Sequence, residues 1–94
     1  MSDDDPDLSK ANHALLVIRQ ARLSRNEAAA VMIANLIYET PNTAQRSPEI
    51  DEAQQAAWLA ISELARALKK EQFAPPAVWK AALRATESWR ELLI

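Results

Sequence analysis

Apolar residues recur every three or four positions along most of the chain, which is the spacing of one face of an α-helix. In the first such stretch Leu8, Leu15 and Ile18 share a face, and this predicts a helix over about residues 8–23. The preceding residues, 1–7, contain four aspartates and little apolar surface. We expect them to form a flexible acidic tail.

A capping-box pattern, Ser-x-x-Glu, at Ser24 to Glu27 indicates where a second helix starts, because the Ser24 hydroxyl can accept from the Glu27 amide. We expect this helix over about residues 25–39, with one long helix bent at Ser24 as the alternative. Between residues 28 and 38 only Asn35 is clearly polar. A helix that is apolar all round is buried on several sides, so this one is either central in a bundle or shared with another chain.

Ser47 followed by Pro48 is a strong start signal for a third helix, over about residues 48–72, because the hydroxyl caps free amides and proline fits the first turn. Pro76 starts a fourth helix over about residues 76–92. The predicted buried stripe of the third helix is Ile50, Ala53, Ala57, Ile61, Leu64 and Leu68. That of the fourth is Val78, Ala82, Ala85, Trp89 and Leu92.

Four helices with short connections predict one all-α domain, residues 8–94, folded as a small antiparallel four-helix bundle. The composition supports this prediction, because the chain has nineteen alanines, the best helix formers, and no glycine. Without glycine, the usual phosphate-cradling loops and nucleophile elbows are excluded. Without cysteine, so are disulfides, thiol nucleophiles and zinc fingers. No signal peptide or membrane span is recognisable, and we expect a cytoplasmic protein without a membrane partner.

The titratable residues do not form a recognisable catalytic or metal-binding pattern. His13 is the only histidine, so the two-histidine and Glu-x-x-His spacings of metal sites do not occur. The acids from Glu49 to Glu52 suit the positive end of the third helix without any chemistry. We therefore expect no enzyme activity, no cofactor and no metal.

Arg19, Arg22 and Arg25 form a candidate basic patch near the end of the first helix. Such a patch could bind phosphates, which makes a nucleic-acid-associated regulator the alternative function. An ordinary solvated helix face explains the same residues. The formal net charge is -2, and residues 8–94 alone carry about two more bases than acids, which is far from the basic balance of nucleic-acid-binding domains. Nucleic acid is therefore the less favoured partner.

The chain has more large apolar side chains than its predicted stripes account for. Trp79 and Leu83 lie beside the stripe of the fourth helix, and Trp58 and Ile94 also fall outside the stripes. Tryptophan is enriched at interaction hot spots, so these four residues are the predicted partner-binding surface. The alternative is that wide apolar stripes simply fill the core.

The second helix offers a further candidate surface, a homodimer face, with core burial as its alternative. Asn35 would fix the register of such an interface. The predicted dimer face is Met32, Leu36 and Tyr38, and the residues predicted to point inward are Val31, Ala34 and Ile37.

The leading hypothesis is a small non-enzymatic protein-binding module, such as an adaptor, inhibitor, immunity or chaperone-like protein. It binds another protein, whose identity the sequence does not indicate, through an apolar and aromatic helix face.

Overall fold

A computed structural model describes residues 6–39 and 47–94 of the protein. Within these two ranges the chain forms four helices and no strand, which confirms the all-α prediction. The helices are α1 (Pro6–Arg22), α2 (Asn26–Glu39), α3 (Pro48–Lys70) and α4 (Pro76–Leu93).

Helix α1 begins at Pro6, close to the predicted start at about residue 8, so Asp7 belongs to its first turn. Asp7 is also buried. Proline is well suited to the first turn because its missing N–H would have no helical partner there, and a carboxylate favours the positive end of the helix. The rest of the predicted acidic tail, 1–5, lies outside the described residues.

Each helix packs against two others, so that the four form a closed ring in chain order. Neighbouring helices run in opposite directions. Asn12, early in α1, meets Arg90 late in α4, whereas Arg19 lies beside Glu87, one turn earlier in α4. The bundle measures 39 × 22 × 20 Å. The structure therefore confirms the predicted small antiparallel four-helix bundle.

The start of α3 follows the predicted signal closely. Ser47 is extended, with φ -152°, and its hydroxyl accepts a hydrogen bond from the Ile50 amide at 3.2 Å. Pro48 occupies the first turn, and Glu49 and Asp51 place negative charge at the positive helix end. The cap therefore satisfies one of the free amides and fixes where the helix begins.

The connection between α1 and α2 confirms two helices but not the predicted capping box. The Ser24 hydroxyl donates to the Gln20 carbonyl at 2.9 Å, so it closes α1 rather than opening α2. The carbonyl of Arg25 instead accepts from the Ala29 amide at 2.8 Å, and α2 begins at Asn26. The last carbonyls of α1 have no helical partner, and the serine is close enough to satisfy one of them.

Two groups of buried side chains fill the bundle. The larger contains residues of all four helices, whereas the smaller is centred on Trp89. Small side chains let the helices approach closely, since Ala11, Ala21, Ala29 and Ala82 are all fully buried. The side chains that fill most of the larger group are Ile18, Ile33, Leu36, Ile61, Leu64, Leu68 and Trp79.

Candidate functional site

The tryptophans on α4 lie inside the bundle. Trp79 is 8% exposed and Trp89 is 3% exposed. The buried stripe of α4 is rotated relative to the predicted one, because it includes Trp79, Thr86 and Leu93 in place of Val78, Ala85 and Leu92. The expectation that Trp79 is exposed was therefore wrong. Trp58, on α3, is half-buried.

The four residues of the predicted partner surface do not come together. Leu83 is half-buried and packs against the core. Ile94 is 75% exposed, but it follows the last turn of α4 and lies roughly 22 Å from Trp79, at about 1.5 Å per residue. The four residues therefore do not form one compact patch.

The orientation of α2 also differs from the prediction. Leu36, which was expected on an outer dimer face, is 1% exposed, and Val31, which was expected inside, is 59% exposed. The inward stripe is Ala29, Ile33 and Leu36, at helical spacings of four and three. Of the other residues of the predicted dimer face, Met32 is half-buried and Tyr38 is exposed. Ala34 and Ile37, which were expected to point inward, are half-buried.

A groove of about 480 Å³ runs between α2 and α3. Its α2 wall consists of Ala30, Val31 and Ala34, and Ala65 faces them from α3. The rim on the α3 side carries positive charge, and none of the lining residues is acidic. The cations of the rim are Arg66, Lys69 and Lys70.

Tyr38 extends the apolar side of this groove. It lies seven residues after Val31, so the two side chains share a face of α2, and it is 85% exposed. The groove therefore combines an exposed apolar helix face with a cationic helix end, and the sequence prediction missed this combination. The spacing of Ala30 and Ala34 and the basic end of α3 are both visible in the sequence. They indicate a groove only once α2 and α3 are known to be neighbours.

A second groove, of about 570 Å³, lies between α1 and α4. Its charged residues are two arginines and two glutamates, and one pair of them meets across the groove. Arg19 and Glu87 approach to 3.7 Å, and Arg90 donates a hydrogen bond to the Asn12 side chain. Leu16, on its wall, is 54% exposed. This groove therefore carries charges of both signs, unlike the cationic rim of the groove between α2 and α3.

The predicted basic patch is exposed in full but is not uniform. Arg19 forms an ion pair with Glu87, whereas Arg22 ends α1 and Arg25 lies in the following turn. Arg22 and Arg25 therefore differ from Arg19, which pairs with a residue of α4. They lie at the end of the bundle where α1 meets α2.

No group of three His, Cys, Asp or Glu residues in the described part of the chain could hold a metal ion. His13 is exposed on α1. Over the same residues, no helix is long and apolar enough to cross a membrane. No protein-family model, curated protein or solved structure matches this chain.

Proposed function

We propose that this protein is a small binding module that receives an acidic, amphipathic helix of a partner protein in the groove between α2 and α3. The observation that carries the proposal is the pairing of an apolar wall with a rim whose lining charges are all positive. The proposal keeps the hypothesis of a non-enzymatic protein-binding module but moves its surface from α4 to α2.

The apolar part of the groove suits a helix. Val31 and Tyr38 lie about 10 Å apart along α2, at about 1.5 Å per residue, with the half-buried Ala34 and the exposed Asn35 between them. Alanine side chains let a third helix approach α2 and α3 near the short end of the interaxial range of about 8–10 Å. Large apolar side chains of the partner would then be buried against Val31 and Ala34, in the way helical ligands fill hydrophobic grooves.

The charged part of the groove determines which helix fits. Lys69 and Lys70 end α3, so their charges add to those of Arg66 at one side of the groove. Arg66 is bridged by Glu63 one turn earlier, whereas no ion pair within residues 6–39 and 47–94 involves the two lysines. Acidic residues on the polar flank of a partner helix would face these cations, which speeds encounter and disfavours basic partners.

The test uses a designed, fluorescently labelled helical peptide about as long as α2, with leucines on one face and glutamates on the other. Fluorescence anisotropy measures its binding to the full chain. Val31→Glu should weaken binding at least about tenfold, which corresponds to about 1.4 kcal/mol. Leu16→Glu is the matched control, because Leu16 is similarly exposed but lines the other groove.

A peptide with lysines in place of its glutamates should also bind at least about tenfold more weakly. Failure of the acidic peptide to bind, or equal losses from Val31→Glu and Leu16→Glu, would overturn the proposal. The nucleic-acid alternative has less support, because Arg19 of its patch is already paired with Glu87.

A further inference from the structure

Two turns lie side by side at one end of the bundle. The Asn26 side chain, at the start of α2, donates a hydrogen bond of 2.6 Å to the Gln72 carbonyl, between α3 and α4. This contact joins the α1–α2 turn, 23–25, to the α3–α4 turn, 71–75. We call this end of the molecule, with both turns, the turn end.

Each turn presents one large apolar side chain to solvent. Leu23 is 90% exposed and Phe73 is 57% exposed. Gln72 has φ 56°, in the left-handed region, and so reverses the chain direction immediately before Phe73. The apolar groups of the turn end are therefore two separate tips rather than the wall of a groove.

The turn end is also the positive end of the bundle. Its cations are Arg22, Arg25, Lys69, Lys70 and Lys80, against the acids Glu27 and Glu71. Around the opposite end, the described acids are Asp7, Glu49, Asp51, Glu52 and Glu91, against Lys10 and Arg90. The charge is therefore polarised along the long axis of the bundle.

We propose that the turn end docks on the surface of a membrane that contains anionic lipids. Leu23 and Phe73 enter the boundary between headgroups and acyl chains, while Arg22 and Arg25 contact the anionic headgroups. Apolar side chains that insert and cations that stay at the surface are the two elements of interfacial membrane binding. The acidic end then points away from the negative surface, which orients the bundle.

Lipid explains the turn end better than the other polyanions. The phosphates of a nucleic acid would bind the arginines, but they do not account for a leucine that is 90% exposed. A partner helix needs a groove, and the turn end offers isolated tips instead. The turn end shares Lys69 and Lys70 with the α2–α3 groove, but Val31 lies outside the turn end. Val31→Ser, which adds no charge, should therefore leave lipid binding unchanged.

The experiment is co-sedimentation of the full chain with phosphatidylcholine vesicles, with and without phosphatidylserine. Binding should require phosphatidylserine and fall as salt is raised, because salt screens the surface charge. Leu23→Ser and Phe73→Ser should each weaken it, and Arg22→Gln with Arg25→Gln should lower it about fivefold per charge. Ile94→Ser is the matched control, because Ile94 is exposed at the opposite end.

The proposal is overturned if phosphatidylserine does not increase binding, or if Ile94→Ser weakens it as much as Leu23→Ser does. The same variants are tested on single-stranded and duplex oligonucleotides. Oligonucleotide binding that depends on Arg22 and Arg25 but not on Leu23, together with no vesicle binding, would assign the turn end to nucleic acid and overturn the lipid proposal.

Discussion

Replacing Gln54 with methionine should make the protein more stable. Gln54 is 4% exposed on the inward side of α3, and its Oε1 has no hydrogen-bond partner among the described protein atoms. It lines a cavity of only about 10 Å³ beside Trp58 and Trp89, which leaves room for no more than a single water molecule. Among the same described atoms, the Nε1 of Trp89 is also buried without a hydrogen-bond partner.

The magnitude follows from the cost of burying an unpaired acceptor, about 1–3 kcal/mol. Methionine has an unbranched chain like glutamine and nearly the same helix propensity, so Gln54→Met removes the amide with little other change. We expect the free energy of unfolding to rise by about 1–3 kcal/mol. In a domain of this size each kcal/mol shifts Tm by about 4–8 °C, so Tm should rise by at least about 4 °C.

The assay is urea and thermal unfolding followed by circular dichroism. Gln55→Met is the matched control, because Gln55 is the next residue on α3 and is exposed, and it should change the free energy of unfolding by less than about 0.5 kcal/mol. If Gln54→Met does not stabilise the protein more than Gln55→Met does, the Gln54 amide has a favourable partner and the reasoning is refuted.

Three further predictions test the fold, each by urea unfolding. Leu64→Ala should cost about 2–5 kcal/mol, because Leu64 is fully buried, and a loss below about 1 kcal/mol would contradict its place in the core. Ser47→Ala should cost about 1 kcal/mol through the lost cap to the Ile50 amide, and no loss would contradict the cap. Gln72→Gly should stabilise the protein by up to about 1 kcal/mol, because glycine adopts positive φ without strain. Ala81→Gly, at an exposed position of α4, should destabilise it by a similar amount. A change of the same sign for both would contradict the positive φ of Gln72.

The sequence predicted the elements of the fold well where local chemistry determines them. The start of α3 depends on Ser47 and Pro48, whose effects are confined to one helical turn. Leu64 and Leu68 were predicted to be buried and are, because they continue the helical spacing of Ala57 and Ile61 on one face of α3. Four helices joined by short connections can pack in only a few arrangements.

The rotations of α2 and α4 could not be predicted from periodicity. Around α2 apolar residues occur on every side, so neither Val31 nor Leu36 is marked as the inner one, and packing against α1 and α3 decides. In α4 the buried stripe includes a threonine. Thr86 is fully buried because its hydroxyl donates to the Ala82 carbonyl at 2.7 Å, a local bond that removes the cost of burying it.

The candidate site was hidden for the same reason. The sequence pointed to Trp79 because tryptophan is common at interfaces, but a large ring beside an apolar stripe is also what a small bundle needs to fill its core. The groove depends instead on Val31 facing outward and on Ala34 lying across from Ala65. Neither relation is visible before the rotation of α2 and the order of the helices are known.

The central claim is that the groove between α2 and α3 is where a partner helix binds. It is tested most directly by adding the acidic amphipathic peptide to isotope-labelled protein and recording which backbone amide signals shift in ¹H–¹⁵N NMR spectra. We predict saturable shifts concentrated at Ala30, Val31, Ala34 and Ala65. Shifts concentrated instead around Leu16 in the α1–α4 groove, or no saturable shifts, would contradict the claim.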